Sequence, residues 1–236
     1  MPVAKYKTTV SKVIHETPTV VLLRLKFDGG VPFTFKSGQY IHVILEKDEK
    51  LIYKPYSITS APQEKNYIEL CVKRVEGGFA SNYLCDLKGG ETITIMGPIG
   101  IFILKEPLTK EIFFVATGSG ISAPLSMILD LLNSKFKEKI ALVFGNRTED
   151  EIIYRKLLEK LEKENDNFKV YNVLSRPDSN WKGSVGHVQD VLQKIIKDPQ
   201  NSDVYICGVV AMVEEVSKWA ESIGFSRQKI HFEKYT

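Results

Sequence analysis

Ile112-Phe113-Phe114-Val115-Ala116-Thr117-Gly118-Ser119-Gly120-Ile121-Ser122-Ala123-Pro124 is the stretch on which the fold of the second half turns. Ile112–Ala116 is apolar without interruption, as a strand covered on both faces tends to be. Two glycines follow at once, and Ala123–Asn133 then takes up a helical period. A strand running through a glycine-rich turn into a helix is, in principle, a dinucleotide-phosphate site. The same rhythm continues outward. Apolar runs at 140–144 (IALVF), 170–174 (VYNVL), 203–207 (DVYIC) and 229–233 (KIHFE) alternate with helical segments Asp150–Glu164, Val188–Lys197 and Val210–Ile223. Strand–helix alternation of this kind predicts a doubly wound parallel sheet, an α/β domain.

Toward the N-terminus the rhythm is different. Tyr6–His15, 18–26, 39–46, Tyr53–Ser60, 67–75 and 91–96 are rich in β-branched and aromatic residues and punctuated by Gly, Pro and Asn or Asp. One helix fits, Phe79–Leu87. About six short strands with little helix predict an antiparallel six-stranded β-barrel. The boundary falls near Lys105–Lys110, where Pro107 interrupts a polar stretch. The expected domains are therefore 1–105, a barrel, and 106–236, a nucleotide-binding sheet. A barrel followed by a wound sheet suggests one bound molecule per domain and a reaction where the two meet.

Composition narrows the class. The 236 residues are 43% hydrophobic and 26% charged, enough for two ordinary soluble cores. A net charge of +3 is too small and too spread for a nucleic-acid binder. It leaves room for a lysine-lined face that docks an acidic electron carrier. Cys71, Cys85 and Cys207 have neither metal-ligand nor iron–sulfur spacing, so no metal site is expected and a reducing compartment is. The N-terminus has no apolar signal region, and no stretch is long enough to span a bilayer. A cytoplasmic protein without a membrane anchor is the resulting expectation.

Two constellations carry chemistry. In the first half, Lys54-Pro55-Tyr56-Ser57-Ile58-Thr59-Ser60 lies on a strand, with Tyr56 and Ile58 on one face and Ser57 and Thr59 on the other. A Tyr ring can cover a flat heteroaromatic system, a neighbouring hydroxyl can reach an acceptor on the ring edge, and a lysine can meet phosphate. Gly77-Gly78-Phe79-Ala80-Ser81 then lets the backbone approach a ligand closely. In the second half, the turn holding Thr117, Gly118 and Gly120 is joined by Asn146-Arg147 and Ser175-Arg176 at the ends of strands, and by Cys207-Gly208-Val209-Val210-Ala211-Met212. His187 is expected to be structural, and the other histidines show no metal signature.

Taken together these segments resemble the ferredoxin–NADP reductase family, whose flavin motif is R-x-Y-S-x-x-S followed by G-x-x-S. The likeness includes Phe35-Lys36-Ser37-Gly38-Gln39-Tyr40, Leu70-Cys71-Val72-Lys73-Arg74, Ser81-Asn82-Tyr83-Leu84-Cys85-Asp86-Leu87-Lys88 and Gly97-Pro98-Ile99-Gly100. It also includes T-G-x-G-I at Thr117–Ile121 and C-G-x-x-x-M at Cys207–Met212. The resemblance implies that Tyr56 stacks on a flavin, that Ser57 reaches its N5, and that Gly77–Ser81 hold its phosphates, with Lys54, Pro55, Cys71, Val72 and Lys73 beside it. It implies FAD rather than FMN, although Lys54 stands where the family has Arg and the short hairpin Val75–Gly77 offers no aromatic for adenine. It further implies that Thr117, Gly118, Gly120, Asn146, Arg147, Ser175, Arg176, Cys207, Gly208 and Met212 hold NADP(H) in preference to NAD(H). The ending His231-Phe232-Glu233-Lys234-Tyr235-Thr236 is similar to that of plant-type members, in which a terminal aromatic covers the flavin. By that likeness Tyr235 also contacts the flavin, gating the nicotinamide, with Glu233 assisting.

The function implied is hydride transfer between NAD(P)H and FAD, with single electrons passed to or from a soluble carrier: ferredoxin, flavodoxin or an oxygenase component. Ser57, Cys207, Glu233 and Tyr235 are the catalytic candidates. The alternatives are a reductase of free flavin, quinone or haem iron, and a flavin-binding sensor without turnover.

Overall fold

The computed structural model describes residues 3–30 and 32–235. Contacts divide them into two units. One runs up to Leu104 and includes Leu125–Asn133; the other holds Lys105–Pro124 and the residues from Ser134 onward.

In the first unit, strands β1 (Ala4–Thr17), β2 (Val20–Phe27), β3 (Tyr40–Lys47), β4 (Lys50–Ser57), β5 (Ile68–Lys73) and β6 (Thr92–Ile99) form one sheet in the order β4-β3-β6-β1-β2-β5. Every neighbouring pair is antiparallel. A bridge between Ile58 and Leu70 joins the two edges and closes the barrel. Alternation along the strands sends Val10, Leu23, Ile41, Val43, Leu70 and Ile95 inward to one core. Each such buried aliphatic side chain contributes about 1.5–3 kcal/mol. Helix α1 (Phe79–Cys85) adds Ala80 and Leu84 to that core. It is shorter than the sequence suggests and stops at Asp86, whose N–H bonds back to the carbonyls of Asn82 and Tyr83.

In the second unit, β7 (Glu111–Thr117), β8 (Lys139–Asn146), β9 (Phe168–Leu174), β10 (Ser184–Val185), β11 (Ser202–Val209) and β12 (Ile230–Tyr235) lie in the order β10-β9-β8-β7-β11-β12. All pairs are parallel. Helix α2 (Ser122–Asn133) starts in this unit, and α3 (Arg155–Glu164), α4 (Val188–Ile195) and α5 (Val210–Ser222) lie wholly within it. From β7 the chain adds strands in one direction and then returns to the other side with β11. The sheet therefore has a topological switch point between β7 and β11, where such sheets bind ligands at the carboxyl ends of the strands.

Three further details differ from the sequence reading. The stretch Asp150–Glu164 is not one helix: Ile152, Ile153 and Tyr154 are buried, Tyr154 takes a left-handed φ of 60°, and α3 begins only after it. Burying those apolar side chains outweighs the local helical period. Strand β10 is two residues long and carries no periodic signal of its own. Most of α2 clusters with the barrel unit, where Asp130 accepts hydrogen bonds from Ser37 Oγ (2.7 Å) and Gln63 Nε2 (2.6 Å), and Ser126 Oγ donates to the Ser60 carbonyl (2.7 Å). Among the described residues no helix is long and apolar enough to cross a membrane, and no three His, Cys, Asp or Glu side chains are grouped as a metal needs.

Candidate functional site

In the barrel unit, the end of β4 supplies the first group of side chains. Tyr56 stands opposite Ile41 and Ser57 opposite Tyr40. Ile58 and Thr59 are buried, and Thr59 Oγ donates to the Glu69 carbonyl, so this end of the strand is held firmly. The Tyr56 ring is half-buried against the barrel core, while Lys54 and Pro55 are exposed. Burial, with Cys85 nearby, pushes the Tyr56 hydroxyl up to about 12. The folded state therefore favours the neutral phenol. Its contribution to stability is complete below about pH 10 and is lost as pH rises toward 12. In urea unfolding measured across that window, wild type is expected to lose more stability than Tyr56→Phe. Equal losses in the two proteins would place the phenol in water.

The turn before α1 is built by its own side chains. Ser81 Oγ donates to the Gly78 carbonyl and accepts from the Val75 N–H, both at 3.2 Å. Asn82 Nδ2 donates to the carbonyls of Gly78 (2.7 Å) and Val75 (3.1 Å). Arg74 in turn donates to Asn82 Oδ1 (2.9 Å) and Asp86 Oδ1 (2.6 Å). Ser81 is thus a brace for the turn, and the backbone is what the turn offers to a ligand. Gly77, at a φ of +69°, has open space where a side chain would be. Arg74 and Asn82 were not among the expected site residues, though both lie in segments that carry the resemblance. The side chains of Cys71 and Val72 are buried, which leaves only their backbone for a ligand, and Lys73 is exposed.

In the sheet unit, two motifs some ninety residues apart meet at the switch point. A Cβ on Gly120 would lie 2.6 Å from the Cys207 carbonyl oxygen and 2.7 Å from Gly208 Cα. A Cβ on Gly208 would strike Thr117 Oγ1 and, at 2.7 Å, Met212 Cε. Thr117, Gly120, Cys207, Gly208 and Met212 are therefore one cluster at the ends of β7 and β11. Next to it in the sheet, β8 ends in Asn146, which is 8% exposed. Among the described residues, buried Thr117 Oγ1 and both side-chain polar atoms of Asn146 have no hydrogen-bond partner. Each such atom costs about 1–3 kcal/mol unless a ligand satisfies it. An amide- and hydroxyl-bearing dinucleotide fits that donor and acceptor set.

The pairing of β8 with β9 continues past their ends. The Ser175 N–H bonds the Asn146 carbonyl (3.1 Å) and the Arg176 N–H bonds the Arg147 carbonyl (2.8 Å). Exposed Arg147, Ser175 and Arg176 therefore stand side by side at the carboxyl edge. Cys207 is fully buried and pairs with Glu233 across the β11–β12 ladder. Burial, reinforced by the Glu233 charge, pushes its thiol far above the ordinary range, while a hydrogen bond with the Tyr235 side chain opposes the shift. Three expected catalytic residues are thus one group, and Cys207 is a small neutral side chain rather than a nucleophile. Thr236, which follows Tyr235, lies outside the described residues. His187 precedes α4, where its N–H donates to Asp190 Oδ2 (2.9 Å), a structural role.

Residues 7–103 match the model of the oxidoreductase FAD-binding domain, and residues 114–218 that of the oxidoreductase NAD-binding domain. The chain is 33% identical over 226 residues to ferredoxin–NADP reductase B of Sorangium cellulosum, covering 93% of each. It is 34% identical over 238 residues to the phenol hydroxylase P5 protein of Acinetobacter pittii, with 99% of this chain aligned to 66% of that protein's length. In structure it resembles the cytochrome P450 reductase GcoB of Amycolatopsis, at a TM-score of 0.91 and 22% identity, over 100% of this chain and 71% of that one.

Proposed function

This chain belongs to the ferredoxin–NADP reductase family, and from that membership we propose that it moves hydride between NAD(P)H and FAD and exchanges single electrons with a separate carrier protein. Residues 1–105 form the FAD domain and 106–236 the coenzyme domain in this reading. The observation that carries it is the meeting of the Thr117–Gly120 turn with Cys207–Met212 at the switch point, beside the unsatisfied Thr117 and Asn146 side chains.

When bound, FAD supplies the conversion between two-electron and one-electron chemistry, which no side chain can perform. The protein's own contribution is placement. Tyr56 gives the ring a half-buried shelf, and Ser57 holds a hydroxyl at the flavin edge. Lys54 and the Gly77–Ser81 backbone neutralise and cradle phosphate. Thr117, Asn146 and the glycines of the turn seat the coenzyme. Cys207, Glu233 and Tyr235 bound the nicotinamide side, where Glu233 brings a carboxylate that can relay a proton. Neutral Cys207 adds shape without charge. Mixing the purified protein with NADPH or NADH in the absence of air tests the reading: an enzyme loses its yellow colour rapidly, and a sensor without turnover keeps it.

NADPH is the preferred coenzyme in this reading. Ser175 and Arg176 offer a hydroxyl and a guanidinium suited to a 2′-phosphate dianion, and the name of the Sorangium relative points the same way. Arg176→Ala is expected to lower the NADPH/NADH ratio of kcat/KM about tenfold, the loss of one charge-assisted contact. An unchanged ratio would withdraw the assignment. The electron acceptor in this reading is a ferredoxin, flavodoxin or oxygenase component; the name of the Sorangium relative supports the first and that of the Acinetobacter relative the last.

A further inference from the structure

We propose that Phe79, with Lys47 above its ring, is the platform for the adenine of FAD and selects FAD over FMN; this rests on the flavin reading of the barrel. Helix α1 faces the core with Ala80 and Leu84, so its first residue, Phe79, has no packing role there. Phe79 is 36% exposed. Lys47 Nζ stands over it, 5.2 Å from the centroid.

The position along β4 matters more than the exposure. Tyr56, Lys54, Ile52 and Lys50 share one face of the strand, because side chains alternate with period two. Lys50 pairs directly with Lys47 on β3. At the rise of an antiparallel strand, Lys50 lies about 20 Å from Tyr56. Along this face the order is an aromatic shelf at Tyr56, a cation at Lys54, and a second aromatic with its own cation at Lys47 and Phe79. That is the order of the parts of a flavin adenine dinucleotide laid out along a strand: ring system, phosphates, base. Phe79 also follows directly on Gly78, so the platform begins where the phosphate turn ends. Base-on-ring stacking tolerates any flat heterocycle, and a lysine nearby strengthens it. FMN ends at its phosphate and can gain nothing from either side chain.

The test is flavin exchange on the purified holoprotein. Wild type, Phe79→Ala and Phe79→Trp are incubated with equimolar excess FAD and FMN, and the bound flavin is identified by chromatography. Phe79→Ala is expected to raise the bound FMN/FAD ratio roughly tenfold, the loss of one stacked base. Phe79→Trp, which keeps a ring, should retain the wild-type ratio. Fluorescence recovery on dilution should show FAD leaving the Ala variant faster and FMN leaving it at the wild-type rate. An unchanged ratio in Phe79→Ala, or equal loss of both flavins, overturns the adenine platform alone. A wild-type protein that holds neither flavin overturns the flavin reading and this inference with it.

Discussion

Gly120→Ala is expected to cost the sheet unit about 3 kcal/mol and to weaken coenzyme binding about 100-fold. The added Cβ would run into the backbone of β11: the Cys207 carbonyl oxygen at 2.6 Å, Gly208 Cα at 2.7 Å and the Cys207 carbonyl carbon at 2.9 Å. A flexible side chain could move aside, but the end of a central strand cannot. Cys207 is held to β7 and β12 on its two sides. The turn itself must retreat, and Thr117 Oγ1 retreats with it. Gly118→Ala is the control. It has no atom within 4 Å of its Cβ, so only its φ of +51° carries a penalty, about 1 kcal/mol. Urea unfolding gives the stability of each variant, and coenzyme titration followed by flavin absorbance gives the affinity. Equal losses in the two variants would mean that the close approach to β11 is not what the turn requires.

Ser57→Ala is expected to leave flavin bound while slowing its reduction by NADPH about 10- to 100-fold, the loss of one positioned contact of roughly 1.4–3 kcal/mol. Ser57 closes β4 beside Tyr56, is 6% exposed, and is followed by residues locked in the core. Removing one oxygen there changes little volume and leaves the shelf in place. The effect should therefore fall on the rate of bleaching in a single turnover without air, not on flavin content. A variant that bleaches at the wild-type rate would remove Ser57 from the reacting centre.

Much of the candidate site is legible because its motifs are local. The turn Thr117–Gly120 announces itself by sitting between an apolar run and a helical period, where a phosphate-binding turn has to be. Tyr56-Ser57 and the G-x-x-S of Gly78–Ser81 are short and contiguous for the same reason. Residues that act through others are harder to see. Asn82 braces the turn before α1 by reaching back to Gly78 and Val75, a role no spacing rule announces. Phe79 is named in the sequence only as part of the Gly77–Ser81 turn, and its ring stands out once α1 turns its neighbours inward and leaves it exposed.

By itself the sequence determined the two-part architecture, since period two and a strand–helix alternation are written in neighbouring residues and burial of each apolar face follows directly. It also determined which chemical groups the chain brings to a ligand. Tertiary structure alone decided which of them meet. Parallel pairing of β11 with β12 sets Cys207 opposite Glu233 and within reach of Tyr235. The return of the chain from β10 to the far side of β7 lays Gly208 against Thr117. Burial of Ile152, Ile153 and Tyr154 overrules a helix that local propensity favours. In each case the deciding energy belongs to a contact between residues far apart in the chain, and such a term has no trace in the local pattern.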